Sequence, residues 1–221
     1  MFKKITRGKL REFLATKKNW DTLEILDIGG ERDFYKEYFP NSHKITLNID
    51  PKRKPDVVGD AHDLSQFKEN QFDLVLMIAV MEHLKDPEKV VREVKRVLKP
   101  GGKFIFTTVF IFPIHDAPGD YWRFTYFGLK ELLERNGFIA DIKPDFNSFS
   151  TIGVLFQRIA FQTDFIFLNK PIKMGLFLLA EIFRRLDGLI ERQYGDIKKS
   201  KPSVEIMSSG YNVVAYLETD R

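Results

Sequence analysis

The side chains best suited to moving a proton or gripping a polar ligand stand just behind short apolar runs. His83 follows Glu82 behind the run 72–78, and His115 lies behind the run 103–109 in Phe112-Pro113-Ile114-His115-Asp116-Ala117-Pro118. Imidazole titrates nearest neutrality, so a histidine facing a ligand is a candidate general base. Of the four histidines, His43 reads as a surface residue. His62 sits among acids in a loop, and His83 reads as structural. His115 is therefore the base candidate. Asp120, Tyr121 and Arg123 share its loop and are candidates for shaping an acceptor pocket, with an Arg123–carboxylate pair as the plainer alternative. Glu82, His83 and His115 have no recognisable ligand spacing in sequence, so no metal is expected. The chain has no cysteine, which excludes thiolate chemistry and disulfides.

A second set of polar groups follows the earlier apolar runs. The first is Leu26-Asp27-Ile28-Gly29-Gly30-Glu31-Arg32-Asp33, where glycine lets the backbone turn sharply and approach a ligand. Next come Asn48 and Asp50, suited to ribose hydroxyls, and then Gly59-Asp60-Ala61-His62-Asp63-Leu64, where Asp60 suits an adenine amino group. A glycine pair after a strand is commonly only a turn. Three such loops in this order point to a nucleotide-like ligand.

The positions of these loops follow from alternating elements. Strands are expected over 23–28, 45–49, 57–58, 72–78, 103–109, 138–142 and 211–217. A basic helix is expected over 2–18, a short one over 35–39, and one over 125–136 with Leu129, Leu132 and Leu133 inward. The clearest helix opens at Asp86-Pro87-Glu88, carries Val90, Val91, Val94, Val97 and Leu98 as its stripe, and ends at Lys99-Pro100-Gly101-Gly102. Such alternation gives an α/β fold with a mostly parallel sheet, and its ligands sit at the carboxyl ends of the strands.

The segments 25–30, 59–64 and 72–84, together with Val97-Leu98-Lys99-Pro100-Gly101-Gly102-Lys103, resemble the methyltransferase type 11 domain of the class I S-adenosylmethionine-dependent methyltransferases. The resemblance covers roughly residues 23 to 145 and resumes at the final strand. It implies a Rossmann-like seven-stranded sheet, S-adenosylmethionine as donor and in-line methyl transfer. By that resemblance Asp27, Gly29 and Gly30 border the donor's methionine, Asn48 and Asp50 its ribose, and Asp60 and Ala61 its adenine. Ile78 and Ala79 border the methionine and methyl. Glu31 and Asp33 stand where the family has its second and third glycines. A dinucleotide-binding reading fails, because Gly-x-Gly-x-x-Gly would need glycine at Glu31 and Phe34.

The remainder sets the domain plan and partners. One methyltransferase domain is expected over 1–221: an N-terminal helix over 1–20, a core over 21–147 and 204–221, and a helical cap inserted at 148–203. Within the cap, Ile172, Leu176, Leu179, Phe183, Leu186 and Ile190 recur in steps of four and three, the pattern of a heptad seam. That seam suits packing on its own domain, a homodimer through 172–190, or peripheral membrane contact beside its basic flanks. The net charge is +4 and the isoelectric point about 9.1, without a marked basic-aromatic patch, which argues against nucleic acid. No signal peptide or membrane span is read, so a cytoplasmic protein is expected. The acceptor is unidentified, with a small molecule, sugar or lipid-linked intermediate favoured. An inactive scaffold and an RNA methyltransferase are the alternatives.

Overall fold

The computed structural model describes residues 12–13, 22–30, 36–199 and 206–217. Seven strands form one sheet in the order β3-β2-β1-β4-β5-β7-β6. They are β1 Glu24–Ile28, β2 His43–Asn48, β3 Val57–Val58, β4 Phe72–Ile78, β5 Leu98–Val109, β6 Phe138–Pro144 and β7 Gly210–Leu217. The first five run parallel, and β7 lies antiparallel between β5 and β6. This is the seven-stranded, mostly parallel sheet expected from the sequence. Its order reverses at β1 and β4, which places a crevice at their carboxyl ends.

Strand β4 is central because its sequence leaves it no wet face. Phe72 and Leu74 to Met77 are fully buried. Val75 and Met77 join the larger core beneath helices α1 (Pro87–Val97) and α2 (Tyr126–Glu134), while Leu74 and Leu76 join Ile25, Tyr38, Phe39, Ile105 and Val214 on the other side. Each such side chain contributes roughly 1.5–3 kcal/mol by leaving water. Helix α1 starts as its sequence dictates. The Asp86 carboxylate accepts from the Lys89 N–H, and Pro87 takes the first turn, where its missing donor costs nothing. Thr125 caps α2 in the same way through the Gly128 N–H.

Three elements differ from expectation. The helix expected over 35–39 is a single 3-10 turn, Lys36–Tyr38, because Pro40 disfavours helical backbone at Phe39. Strand β5 begins at Leu98 rather than Lys103, since the buried Leu98 pairs with Phe72 across an irregularity before the regular register. Strand β6 runs on to Pro144, paired with Tyr211. Most of the expected helix over 2–18 lies outside the described residues; Phe13 packs against the second core cluster.

Between β6 and β7 stand helices α3 (Ser148–Gln162) and α4 (Asn169–Leu186), packed on each other. The expected seam is split between two faces. Phe183 packs edge-on against Phe149 and Phe156, whereas Ile172 and Leu179 are exposed. Helix α3 is tied to the segment before β7, with the Thr151 hydroxyl donating to the Met207 carbonyl. Asp187, just past α4, accepts from the Phe149 and Ser150 N–H groups and so caps α3.

The two helices approach closely at Gly153, where a Cβ would stand 2.7 Å from the Ala180 carbonyl oxygen. Gly175 has open space around it. Alanine outranks glycine as a helix former by about 1 kcal/mol, so Gly175→Ala should raise the melting temperature. Gly153→Ala should lower it, with overpacking against backbone costing about 1–3 kcal/mol. Paired thermal melts check this contrast, and equal shifts would show that α3 and α4 are not in contact there.

Candidate active site

The loops after β1, β2 and β3 are tied together by hydrogen bonds. The Gly29 N–H donates to the Leu47 carbonyl at 2.7 Å, and the Gly59 N–H donates to the Asn48 carbonyl at 3.1 Å. The Asn48 amide donates to the carbonyls of Gly29 and Gly30 at 3.0 and 3.4 Å, and its oxygen accepts from the Asp50 N–H. Gly29 has a φ of +77°, and a Cβ there would stand 2.4 Å from Val80 Cγ2, so the loop after β4 closes the same corner. At Gly30 a Cβ would fall 2.2–2.5 Å from the Asp27 carboxyl atoms. Four strand ends therefore converge at the crevice.

Asp27 is the buried charge of this corner. Burial raises its pKa to about 6, against the pull of the Lys44 ammonium 3.2 Å away. Asp60 lies at the outer edge of the crevice. Partial burial would raise its pKa, but hydrogen bonds from the His62 N–H and ring outweigh this and hold it below the usual carboxylate range. The His62 tautomer is fixed. Nε2 accepts from the Asp86 N–H, so Nδ1 carries the hydrogen that goes to Asp60 Oδ1 at 2.6 Å. Both bonds fall on Oδ1 of the half-exposed Asp60. Ala61 is buried beneath it. Ile78 ends β4, and Ala79 has a φ of +54°, a strained backbone for alanine. The Ala79 N–H is held by the Thr107 carbonyl and hydroxyl.

Across β4 and β5 lies a second cluster. Glu82 is fully buried, and Thr108 Oγ1 donates to its Oε2 at 3.2 Å. Its Oε1 has no hydrogen-bond partner and lies 3.8 Å from His115 Nε2. Desolvation raises the Glu82 pKa, and burial pushes His115 below its ordinary value. His83 Nδ1 is 2.7 Å from the Gly119 carbonyl, and the His83 and His115 rings meet edge to face at 4.9 Å.

The loop carrying His115 is locked from below. Asp120 accepts from the His115 N–H and takes two hydrogen bonds from Arg123, at 2.6 and 2.7 Å. Hydrogen bonding from Arg123 holds the Asp120 carboxyl far below the usual range. Arg123 also donates to the carbonyls of Phe112, Pro113 and Trp122. The Tyr121 and Trp122 N–H groups donate to the Glu82 carbonyl, which joins this loop to the end of β4.

The structure thus brings Asp27, Gly29, Gly30, Asn48 and Asp50 to one end, with Asp60, Ala61, Ile78 and Ala79 around them. It brings His115, Asp120 and Arg123 to the other. Asn48 spends its amide on the glycine loop, and one Asp50 oxygen caps the turn Pro51–Arg53. Asp120 and Arg123 spend theirs on each other and on their loop, and Tyr121 is exposed. Glu31 and Asp33 lie outside the described residues. The expectation of no metal meets a contrary geometry, since one ligand atom each from Glu82, His83 and His115 lies within 4.8 Å of the others. Spacing in sequence hid this, because 33 residues separate Glu82 from His115. Arg158, also missed, reaches from α3 over the Phe112 ring at 4.2 Å.

Residues 34–106 match the family model described as a methyltransferase domain. The chain is 26% identical over 102 residues to the ubiquinone biosynthesis O-methyltransferase of Pseudomonas fluorescens, covering 39% of this chain and 44% of that protein. The chain spans less than half the length of the curated relatives it matches. Its fold is that of a SAM-dependent methyltransferase from Archaeoglobus fulgidus, with a TM-score of 0.58, 16% identity, and 96% and 93% of the two chains covered. It also superposes on the phosphoethanolamine N-methyltransferase 2 of Haemonchus contortus, solved with phosphomonomethylethanolamine and S-adenosylhomocysteine. There the TM-score is 0.57 at 18% identity, covering 97% of this chain and 53% of that one.

Proposed function

We infer that this chain, with the class I methyltransferase fold and a methyltransferase domain over residues 34–106, transfers a methyl group from S-adenosylmethionine to an acceptor hydroxyl. The observation that carries the reading is the convergence of the Gly29, Asn48, Gly59 and Val80 corners at the point where strand order reverses. Gly29 and Gly30 leave room for the donor's methionine, with Asp27 below. Asp50 faces the ribose and Asp60 Oδ2 the adenine amino group. Ile78 and Ala79 line the path toward the acceptor.

The sulfonium supplies the leaving group, so the protein has to align the acceptor and exclude water. The acceptor oxygen forms its bond to the methyl carbon as the carbon–sulfur bond breaks, and its proton must leave. His115 is the group proposed for the acceptor end, held in place by Asp120 and Arg123. A hydroxyl acceptor is supported by the O-methyltransferase names of the curated relatives. A small molecule, sugar or lipid-linked intermediate fits that class. Among the described residues no helix is long and apolar enough to cross a membrane.

Asp60→Ala tests the donor end. Losing one hydrogen bond to a charged acceptor should weaken S-adenosylhomocysteine binding by about 1–3 kcal/mol, or roughly five- to 150-fold, in calorimetry. His62→Ala should weaken it less, because it leaves Oδ2 in place. Unchanged affinity in Asp60→Ala would remove Asp60 from the donor site.

A further inference from the structure

We propose that Glu82, His83 and His115 form a binding site for a divalent first-row metal cation, with zinc the best match to a set of two imidazoles and one carboxylate. The argument is one of lone pairs. A carbonyl only accepts, so the 2.7 Å contact to the Gly119 oxygen puts the His83 hydrogen on Nδ1 and leaves Nε2 free to ligate. His115 Nδ1 is buried without a hydrogen-bond partner, 3.3 Å from Asp120 Oδ2, and the nearby carboxylate charge favours the His115 hydrogen on that side. His115 Nε2 then presents a lone pair to Glu82 Oε1 at 3.8 Å. Glu82 Oε1 is itself buried with no donor.

With the hydrogens so placed, two imidazole lone pairs and a carboxylate oxygen face one another within 4.8 Å, an arrangement that a cation stabilises. The outer contact of His83 has the form common around metal-bound histidines, with Nδ1 donating to the Gly119 carbonyl and the other ring nitrogen left to ligate. Ligands on a tetrahedral ion with bonds of about 2.1 Å stand about 3.4 Å apart, so small side-chain rotations close the set. Three protein ligands leave a position open for an outside oxygen.

The role of such an ion rests on the methyl-transfer reading, although the site itself does not. An acceptor hydroxyl on the open position would lose its proton to solvent more readily, and the resulting oxyanion would attack the methyl carbon as the thioether leaves. His115 would then act as a ligand rather than as the base.

The test uses the full untagged chain, stripped with a chelator and titrated with Co²⁺ in a spectrophotometer and with Zn²⁺ in a calorimeter, without methyl donor. One equivalent should bind, and the Co²⁺ should show the intense visible bands of a four- or five-coordinate site. His115→Ala and His83→Ala should each weaken Zn²⁺ binding about 100-fold or more, with circular dichroism confirming the fold. Glu82→Gln should do the same, and the two histidine variants decide the matter if it fails to fold. Absence of stoichiometric binding, or equal affinity in the histidine variants, would overturn the site and leave a proton shared between Glu82 and His115. Donor titration of the same preparation stands apart, so failure of the metal site is distinguishable from failure of the methyltransferase reading.

Discussion

Arg123→Met should cost about 3 kcal/mol of stability and abolish turnover. The Asp120 side chain is 1% exposed, and Arg123 supplies its two short hydrogen bonds. Removing the cation leaves a buried carboxylate without its partner, which typically costs 3–5 kcal/mol; the side chain of Arg123 is 25% exposed, so the lower end is expected. Three loop carbonyls lose their donor in the same step. The effect should depend on pH in a defined direction. Asp120 is the depressed-pKa case, so its contribution is present above the unfolded carboxylate pKa and fades as pH falls through the folded value. In Arg123→Met most of that acid-side dependence should vanish. Replacing both partners, Asp120→Leu with Arg123→Met, should recover much of the stability without recovering turnover, since His115 loses its anchor. Chemical denaturation at several pH values, alongside methyl-transfer assays, reads both outcomes. A single variant as stable as the parent would show that the loop is held by other contacts.

Gly30→Ala should weaken donor binding about tenfold or more. The added carbon would fall on the Asp27 carboxylate, which is buried against Lys44. Overpacking of this kind costs about 1–3 kcal/mol, and here it also moves the floor of the glycine loop. Relaxation would push Asp27 away from Lys44, with its ionised form already disfavoured by burial. Gly101→Ala is the control for added bulk, because open space surrounds that position, although its φ of +74° adds strain of its own. Donor affinity should survive in Gly101→Ala and fall in Gly30→Ala. Equal affinities would place the donor elsewhere than over Asp27.

How far these features could be read from sequence depends on whether their cause was local. The run from Phe72 to Ile78 could only be a doubly buried strand, and its bounds agree with β4. Asp86 and Pro87 state the start of α1 by cap chemistry alone. The end of that helix was less legible. Pro100-Gly101-Gly102 reads as a breaker, yet Leu98 is buried and already pairs with Phe72. The heptad spacing from Ile172 marks α4 as far as Leu186, with Ile190 beyond the helix, but says nothing of what covers it. Phe149 and Phe156 on α3 take Phe183, whereas Leu179 is exposed.

The donor corner was legible as a set of loops because each follows its strand in sequence. Where Asn48 and Asp60 send their atoms was not, since that depends on neighbours 2 to 19 residues away. The acceptor cluster was least legible. Glu82 and His115 belong to the ends of adjacent strands, and only the sheet order brings their lone pairs together. Burial of Glu82 behind β4 carried no periodic signal, although an acid directly after a doubly buried strand is the pattern that would flag it.

The central claim is that the corner of Gly29, Asn48 and Asp60 binds the methyl donor, and titration of S-adenosylhomocysteine into the folded chain tests it most directly. The account predicts one site per chain, displacement by S-adenosylmethionine, and stabilisation by about 2.7 kcal/mol when free ligand reaches about 100 times the dissociation constant. A folded chain that gives no binding heat and no change in melting temperature with either nucleotide would contradict it.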